Sequence, residues 1–493
     1  MPRHRLLYAI AVLAALLPAG VARAQDAPQA PGQAPDAAAL FQRNCSGCHG
    51  PHREGTSLGP PLSPATYRYG GTRSDIERII RRGIPSQGMP AFGQTLTEAE
   101  INALADFLPT RATRPEEEGP PQPRQSDPVP GVVDTLDYAV RAEVFVDGLV
   151  AAWSMVFIDR DTALVTERVG RLRVVRNGVL DPRPISGTPV VHSSSHRWNQ
   201  GGLLDLALDP DHARNGWIYL SYSHPLNPGA PDEEVRAMTR VVRGRIRDHA
   251  WVDEQVVFQA DESSYDTTAW HYSGRLLFDP EGYLILPVGD RGTPERARDP
   301  ADPAGKMHRM RGDGTPAGHP FAMQGTLPTI YSIGHRNAQG LALDPDTGRI
   351  WATEHGPRGG DELNVIRAGG DYGWPVVTYG INYDGNEITP HTRAEGVEQP
   401  RHYWRPSIAT AGLAFYRGDE FPLWNGKLLL GTLGRRELHL LTLDGDRVLH
   451  DEVVFRSPGR IYEPVVGPDG AIYLCTDDPG QIIRLTAAAQ RRI

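Results

Sequence analysis

Two textures of hydrophobic patterning divide the chain. Between about Asp36 and Arg111, apolar residues recur at helical spacing. Ala37 to Arg43 reads as a first helix. A second is predicted from Ser74, with Glu77 three residues on as its capping-box partner. Ile76, Ile79 and Ile80 give it an apolar stripe, and Gly83 ends it. A third begins at Thr97 with Glu100 as capping partner. Ile101, Leu104 and Leu108 share its inner face, and Pro109 stops it. From about Leu136 the helical period nearly vanishes. Short apolar runs alternate with Asp-Pro and Asp-Gly turns. Leu206-Ala-Leu-Asp-Pro is followed by Gly216-Trp-Ile-Tyr-Leu, and Leu276-Leu-Phe-Asp-Pro by Gly282-Tyr-Leu-Ile-Leu. Leu341-Ala-Leu-Asp-Pro is followed by Gly348-Arg-Ile-Trp-Ala. Related pairs start near Ala163, Leu413 and Val465. Six such units give about sixty residues each, enough for a four-stranded blade with its loops. The pattern predicts a multidomain chain, a small all-α domain followed by an all-β six-bladed propeller over 136–490.

The remaining stretches carry neither pattern. Arg3, His4 and Arg5 precede an apolar run from Leu6 to Leu17, and Ala22-Arg23-Ala24 offers a small-x-small cleavage site. Residues 1–24 therefore read as a secretory signal peptide, its apolar run short for a stable membrane span, with an uncleaved anchor as the alternative, and the expected location is the bacterial periplasm. Residues 25–35 are an Ala/Pro/Gln-rich leader. The small domain occupies 36–111. Residues 112–135 hold Pro115, Pro120, Pro121, Pro123, Pro128 and Pro130 and read as a semi-rigid linker. Fully extended, such a segment reaches roughly 70 Å.

Composition narrows the classes. At 493 residues the chain exceeds one ordinary core, and a net charge of −9 argues against nucleic acid as a partner. Its 53 glycines and 44 prolines suit a turn-rich β protein. There are three cysteines. Two of them lie in Cys45-Ser46-Gly47-Cys48-His49, the attachment pattern of a c-type haem. In that reading the thiols of Cys45 and Cys48 bond the haem and His49 is an axial iron ligand. Zinc and thioredoxin-like sites share Cys-X-X-Cys; zinc wants further Cys or His ligands nearby, and only His52 is close. Met89, in the Pro-flanked Gly88-Met89-Pro90 loop, is placed to be the second axial ligand; the same residue also fits an ordinary core methionine. Helix, haem motif, Gly-Met-Pro loop and closing helix together resemble the class I cytochromes c.

In the β region four loops hold candidate chemistry. Asn199-Gln200-Gly201-Gly202 allows close backbone approach before a strand. Trp270-His271-Tyr272 sits before the strand that leads to Gly289-Asp290. His271 suits a general base oriented by Asp290, and equally a structural histidine bonded to backbone. Arg336, in Gly334-His335-Arg336-Asn337-Ala338-Gln339, suits a bidentate carboxylate contact. Gly356-Pro357 lies in a turn whose carbonyls suit a hard cation. On these residues alone, the last two loops fit plain blade connections as well.

Longer runs add a resemblance. NQGGLLDLALDP (199–210), HYSGRLLFDPEGYLILPVGDRG (271–292), IYSIGHRNAQGLALDP (330–345), EHGPRGGDELNVI (354–366) and GGDYGWP (369–375) follow one another as in the soluble PQQ-dependent glucose and aldose sugar dehydrogenases. The resemblance implies a six-bladed propeller that holds PQQ and Ca²⁺ and oxidises a sugar hydroxyl. It implies His271 as general base supported by Asp290, and Gln200 near substrate and cofactor. It implies Arg336, Asn337, Gln339 and Arg460 on PQQ, and the carbonyls of Gly356 and Pro357 on Ca²⁺. Two departures stand out. Gly434 replaces a lysine and Tyr462 replaces a second arginine of the family pattern, leaving Arg435 or Arg436 to reach PQQ instead. The implied whole is a quinohaemoprotein that takes electrons from a small-molecule sugar and passes them through haem c to another cytochrome, a quinone or a copper protein. The rival is a cytochrome-linked propeller without PQQ, a binding module or a lactonase-like enzyme.

Overall fold

The computed structural model describes residues 35–53, 62, 73–84, 89–108, 129–194, 199–321 and 325–490. The expected signal peptide, most of the expected leader, Gly88 and most of the expected Pro-rich linker lie outside the described residues. The chain forms two compact units, Met1–Pro120 and Pro121–Ile493.

The first unit is helical. Ala37–Asn44 starts at Asp36, whose side chain accepts from Ala39 N at 3.0 Å. A single turn, Ser46–His49, follows directly. Glu98–Phe107 carries the predicted capping box, with Thr97 Oγ1 accepting from Glu100 N and Glu100 Oε2 accepting from Thr97 N. The other predicted box falls on Ser74, whose side chain lies outside the described residues. The helix Arg73–Arg82 begins one residue before Ser74, so Ser74 lies inside it. Glu77 is drawn to Arg73 and Arg81, at 3.4 and 2.9 Å. Leu40, Phe41, Ile76, Ile80, Ile101, Leu104, Ala105 and Leu108 close a single core, with Cys45 packed against it.

The second unit is a ring of six antiparallel sheets. Blades 1 to 5 begin with the strands Ala152–Phe157, Leu203–Leu208, Leu277–Phe278, Ala338–Leu343 and Thr410–Phe415. Blade 6 begins with Ile461–Val466 and ends by recruiting the N-terminal side of the domain. There Tyr138–Leu149 pairs with Gly480–Gln490 in the register Tyr138↔Gln490 and Val144↔Ile483. Val132–Asp134 adds a fifth strand to that blade. The stretch read as linker is therefore already part of the sheet by Val132, because its backbone groups find partners on Arg141, Val140 and Ala139.

The repeat works because each unit exposes two apolar faces that only its neighbours cover. The buried clusters fall between consecutive blades. Leu164, Leu172, Leu203 and Leu220 join blades 1 and 2. Tyr219, Met238, Leu284 and Leu286 join 2 and 3, and Ile285, Ala338 and Ile350 join 3 and 4. Trp351, Leu363, Leu428 and Leu430 join 4 and 5. The predicted turns rest on their aspartates. Asp279 Oδ1 accepts from Glu281 N and Tyr283 N, both at 2.9 Å, and Asp159 Oδ1 accepts from Asp161 N and Thr162 N at 2.8 and 2.7 Å. Such side-chain turns let the chain reverse without surrendering backbone hydrogen bonds.

Arg275 ties the inner strands together. Its Nε donates to Gln339 O at 2.7 Å and its Nη2 to Tyr462 O at 2.6 Å, while the guanidinium lies 3.8 Å from the Trp153 ring centre. Glu463 sits 3.1 Å and Asp205 3.6 Å from Nη1. One buried cation thus meets groups from blades 1, 2, 4 and 6, so the inner ends of these blades keep a common register.

Candidate active site

The entrances of the inner strands of blades 2, 3 and 4 carry the predicted chemistry. His271 is 8% exposed, and its Nδ1 lies 2.6 Å from Asp290 Oδ1. Asp290 is fixed on both oxygens. Gly292 N donates to Oδ1 at 2.8 Å and Trp374 Nε1 to Oδ2 at 2.8 Å. With its Nδ1–H given to Asp290, the neutral ring carries its lone pair on Nε2, which has no hydrogen-bond partner among the described residues. Burial pushes the His271 imidazole down to about 4, the Arg336 charge adds to this, and Asp290 opposes it. Burial also acts on Asp290, tending to raise it. The neighbouring His271 and Arg336 and the Gly292 N–H outweigh that and hold the carboxyl below its ordinary value. An ionised acid beside a neutral imidazole is the arrangement a general base needs.

The backbone around His271 is held in an uncommon shape. His271 and Ser273 have φ of +58° and +56°, a left-handed conformation that costs a non-glycine residue about 1–3 kcal/mol. The surroundings impose it. A Cβ on Gly289 would lie 2.3 Å from His271 O, so only glycine lets the two loops meet. Arg291 lies 3.5 Å from the Tyr272 ring centre and donates to the carbonyls of Trp270 and Thr268.

A chain of amides runs across the ring. Gln339 Nε2 donates to Asn337 Oδ1 at 3.1 Å, and Ser273 Oγ donates to the same oxygen at 3.1 Å. Asn337 Nδ2 donates to Gln200 Oε1 at 3.2 Å, which also accepts from His271 N at 2.8 Å. Each amide is thereby oriented. The Gln200 amide N–H groups donate to no described residue and remain available to a ligand.

Arg336 completes this side. Its backbone is clamped by Glu354, which accepts from Arg336 N on one oxygen and pairs with His335 Nδ1 at 3.0 Å on the other. Its Nη1 donates to His355 O and Gly356 O at 3.1 and 2.9 Å, while Nε is buried without a hydrogen-bond partner among the described residues. Asp361 pins the Gly356–Pro357 turn by accepting from Gly356 N at 3.0 Å and Ala409 N at 2.6 Å. A Cβ on Gly356 would lie 2.3 Å from Gly360 O, so the turn requires glycine.

Blades 5 and 6 differ from expectation. Arg460, expected on a cofactor, is paired with Asp477 through Nε at 2.7 Å and Nη2 at 2.5 Å. Tyr462 is buried in an aromatic cluster with Trp153 and Tyr272. Gly434 donates its N–H to Ile408 O at 3.0 Å, and a Cβ there would lie 2.9 Å from that same oxygen. A lysine at 434 therefore needs a backbone shift. Arg436 donates to Pro458 O at 2.7 Å, and Arg435 is exposed without a hydrogen-bond or ion-pair partner among the described residues.

In the helical unit, Cys45 and His49 bracket one turn, with His49 N donating to Cys45 O at 2.9 Å. Neither Cys45 nor Cys48 forms a disulfide among the described residues, and Cys45 lies against the apolar core. Met89 is half-buried and bridges Ile84 through backbone bonds of 2.9 and 3.2 Å.

Sequence reasoning missed Trp374, Arg275, Ser273 and Asp361. Trp374 lies 84 residues from Asp290, and no local pattern links the two. The one signal was its place in the GGDYGWP run.

Known proteins place this geometry in context. Residues 149–484 match the family described as Glucose / Sorbosone dehydrogenase, and residues 32–108 match the family described as Cytochrome C oxidase, cbb3-type, subunit III. The chain is 38% identical over 357 residues to the aldose sugar dehydrogenase YliI of Escherichia coli, covering 70% of this chain and 93% of that one. The apo-form structure of the soluble aldose sugar dehydrogenase of Escherichia coli aligns with a TM-score of 0.65 at 36% identity, covering 71% of this chain and 99% of that one. The PQQ-bound aldose sugar dehydrogenase of Streptomyces coelicolor aligns with a TM-score of 0.56 at 25% identity, covering 70% and 98%.

Proposed function

This chain belongs to the glucose/sorbosone dehydrogenase family, joined to an N-terminal cytochrome c domain, and on that premise we propose a periplasmic quinohaemoprotein that oxidises an aldose or related hydroxyl substrate. Its electrons leave through haem c to another cytochrome, a quinone or a copper protein. The observation that carries the reading is the buried His271–Asp290 pair beside an arginine with an unpartnered Nε.

The residues fit PQQ on their own chemistry. PQQ is a tricarboxylate, and the orphaned Nε of Arg336 is a buried cationic donor that asks for an anionic acceptor. When bound, PQQ supplies a quinone that accepts two electrons, and haem c a one-electron outlet. The chain's own part is defined by position. Nε2 of His271 takes the hydroxyl proton, and Asp290, held by Trp374 and Gly292, stabilises the imidazolium. Gln200 donates its amide N–H to the substrate, and the amides of Asn337 and Gln339 keep Gln200 in place. Cys45 and Cys48 would bond haem, and His49 and Met89 would ligate its iron. A helical turn set against an apolar core suits that flat, apolar group.

Ca²⁺ fits in kind only. Two backbone carbonyls on a pinned turn are hard oxygen ligands, yet the Arg336 guanidinium already bonds Gly356 O and Ser407 Oγ lies 3.3 Å from Pro357 O. A calcium ion there would use the remaining lone pair of Gly356 O and would sit beside the Arg336 charge, which opposes it. The Arg460–Asp477 pair and the absent cations at Gly434 and Tyr462 favour the second reading, a cytochrome-linked propeller that does not bind PQQ, such as a binding module or a lactonase-like enzyme.

The test is reconstitution of the full chain with PQQ, with and without Ca²⁺, followed by addition of aldoses. Haem reduction that depends on both PQQ and sugar is expected. Haem that stays oxidised, or is reduced equally without PQQ, rejects the reading.

A further inference from the structure

A second imidazole stands in the site without a task. His355 follows the second strand of blade 4, Ile350–Glu354, and immediately precedes the Gly356–Pro357 turn. Its main chain is satisfied on both sides. The N–H donates to Asn337 O at 3.0 Å, and the carbonyl accepts from Arg336 Nη1 at 3.1 Å. Its ring nitrogen Nε2 is buried and has no hydrogen-bond partner among the described residues. The adjoining Arg336 Nε is in the same condition. Buried polar atoms are nearly always paired, and the exceptions ask for a reason. Two orphaned nitrogens on residues that bond each other, beside the general base, share one reason: a polar ligand that meets both.

We propose that His355 is a cofactor-contact residue whose Nε2 forms a hydrogen bond with the same ligand that Arg336 holds. The assignment rests on the PQQ reading above and names a contact that the sequence did not suggest. It also bears on the empty cation positions at Gly434 and Tyr462. Part of the hold lost there is supplied from blade 4, by a neutral group next to Arg336.

The experiment is calorimetric titration of the full chain, freed of cofactor, with PQQ in the presence and absence of Ca²⁺. Wild type is compared with His355→Leu and His355→Gln, and thermal midpoints are recorded without ligand. His355→Leu is expected to bind PQQ about tenfold more weakly or worse, as loss of one buried hydrogen bond requires. His355→Gln, whose amide both donates and accepts, stays within about threefold of wild type. The ligand-free midpoint of His355→Leu is expected to stay close to that of wild type, because removal of the unpaired Nε2 offsets loss of the hydrogen bond that the ring makes to the Thr410 backbone. Unchanged PQQ affinity in His355→Leu overturns the assignment and leaves the proposed function standing. A lowered ligand-free midpoint in both variants marks a structural histidine and overturns it too. Wild type that binds no PQQ under either condition removes the proposed function, and this contact with it.

Discussion

At the entrances of blades 3 and 4 the side chains are already bonded into working positions, whereas at blades 5 and 6 they are bonded away from one. Asp290 has donors on both oxygens, and a run of amides from Gln339 to Gln200 reaches the His271 backbone. Arg336 keeps a free buried donor. Across the ring, Arg460 is neutralised by Asp477, Tyr462 is packed among aromatic rings, and Gly434 has no side chain to offer. On the proposed function, the difference teaches that proton abstraction and cofactor anchoring are separable tasks in this ring. The first needs a rigid, dry, preorganised pair. The second needs charges, and a charge already paired with an acid contributes little to an incoming anion.

The largest test of that contrast is His271→Ala. Removing a positioned general base costs about 10²- to 10⁴-fold. Substrate-driven haem reduction is expected to fall by that factor, while haem reduction by dithionite is unchanged. Turnover near the wild-type rate would show that the bonded side of the ring is not the reacting side. The pH profile sharpens the same point. The His271 pKa is depressed to about 4. Its base form is therefore present above that value and lost as pH falls through it, so the acid limb of kcat/KM should lie near 4. An acid limb near the ordinary histidine value of about 6.5 would contradict the burial that sets the shift.

Trp374→Phe comes next. It keeps the ring and removes the donor to Asp290 Oδ2, a buried bond to a charged group worth about ten- to a hundredfold. A drop in kcat of about tenfold is expected, with the acid limb moving to higher pH. A carboxylate relieved of one donor holds the imidazolium more strongly. A loss of rate with an unmoved limb would mean that Trp374 serves packing alone.

The smallest effect belongs to the other side. Asp477→Asn removes the acid that occupies Arg460 and releases its guanidinium. PQQ affinity, measured by titration, is expected to tighten severalfold. Unchanged affinity would show that Arg460 stands clear of the cofactor whatever its partner, and the contrast between the two sides would then reduce to one of distance.

Much of this was legible in the chain. The Asp-Pro and Asp-Gly turns announced the blades because an aspartate at a reversal bonds its own neighbours. The Thr97–Glu100 box announced a helix for the same local reason. The cap of the first helix, Asp36 accepting from Ala39 N, was seen only in the structure. Glu77 also pairs with Arg73 and Arg81, partners that a capping pattern does not record. The boundary at 135 misled because the strand Val132–Asp134 is made by pairing with a neighbour and carries little signal of its own.

What the sequence by itself determined is the material: a Cys-X-X-Cys-His turn, six turn-linked strand units, and a histidine and an aspartate at the ends of neighbouring strands. Those features depend on contacts within a few residues, which a linear pattern records. Only the tertiary structure decided which groups are occupied. Trp374 reaches Asp290 from 84 residues away, and Arg275 collects carbonyls from blades 4 and 6. Asp477 captures Arg460 across 17 residues, while Arg336 and His355 are left with unpaired nitrogens. Pairing of that kind is set by closure of the ring, which brings residues from distant units to one entrance, where burial makes every unpaired polar atom costly.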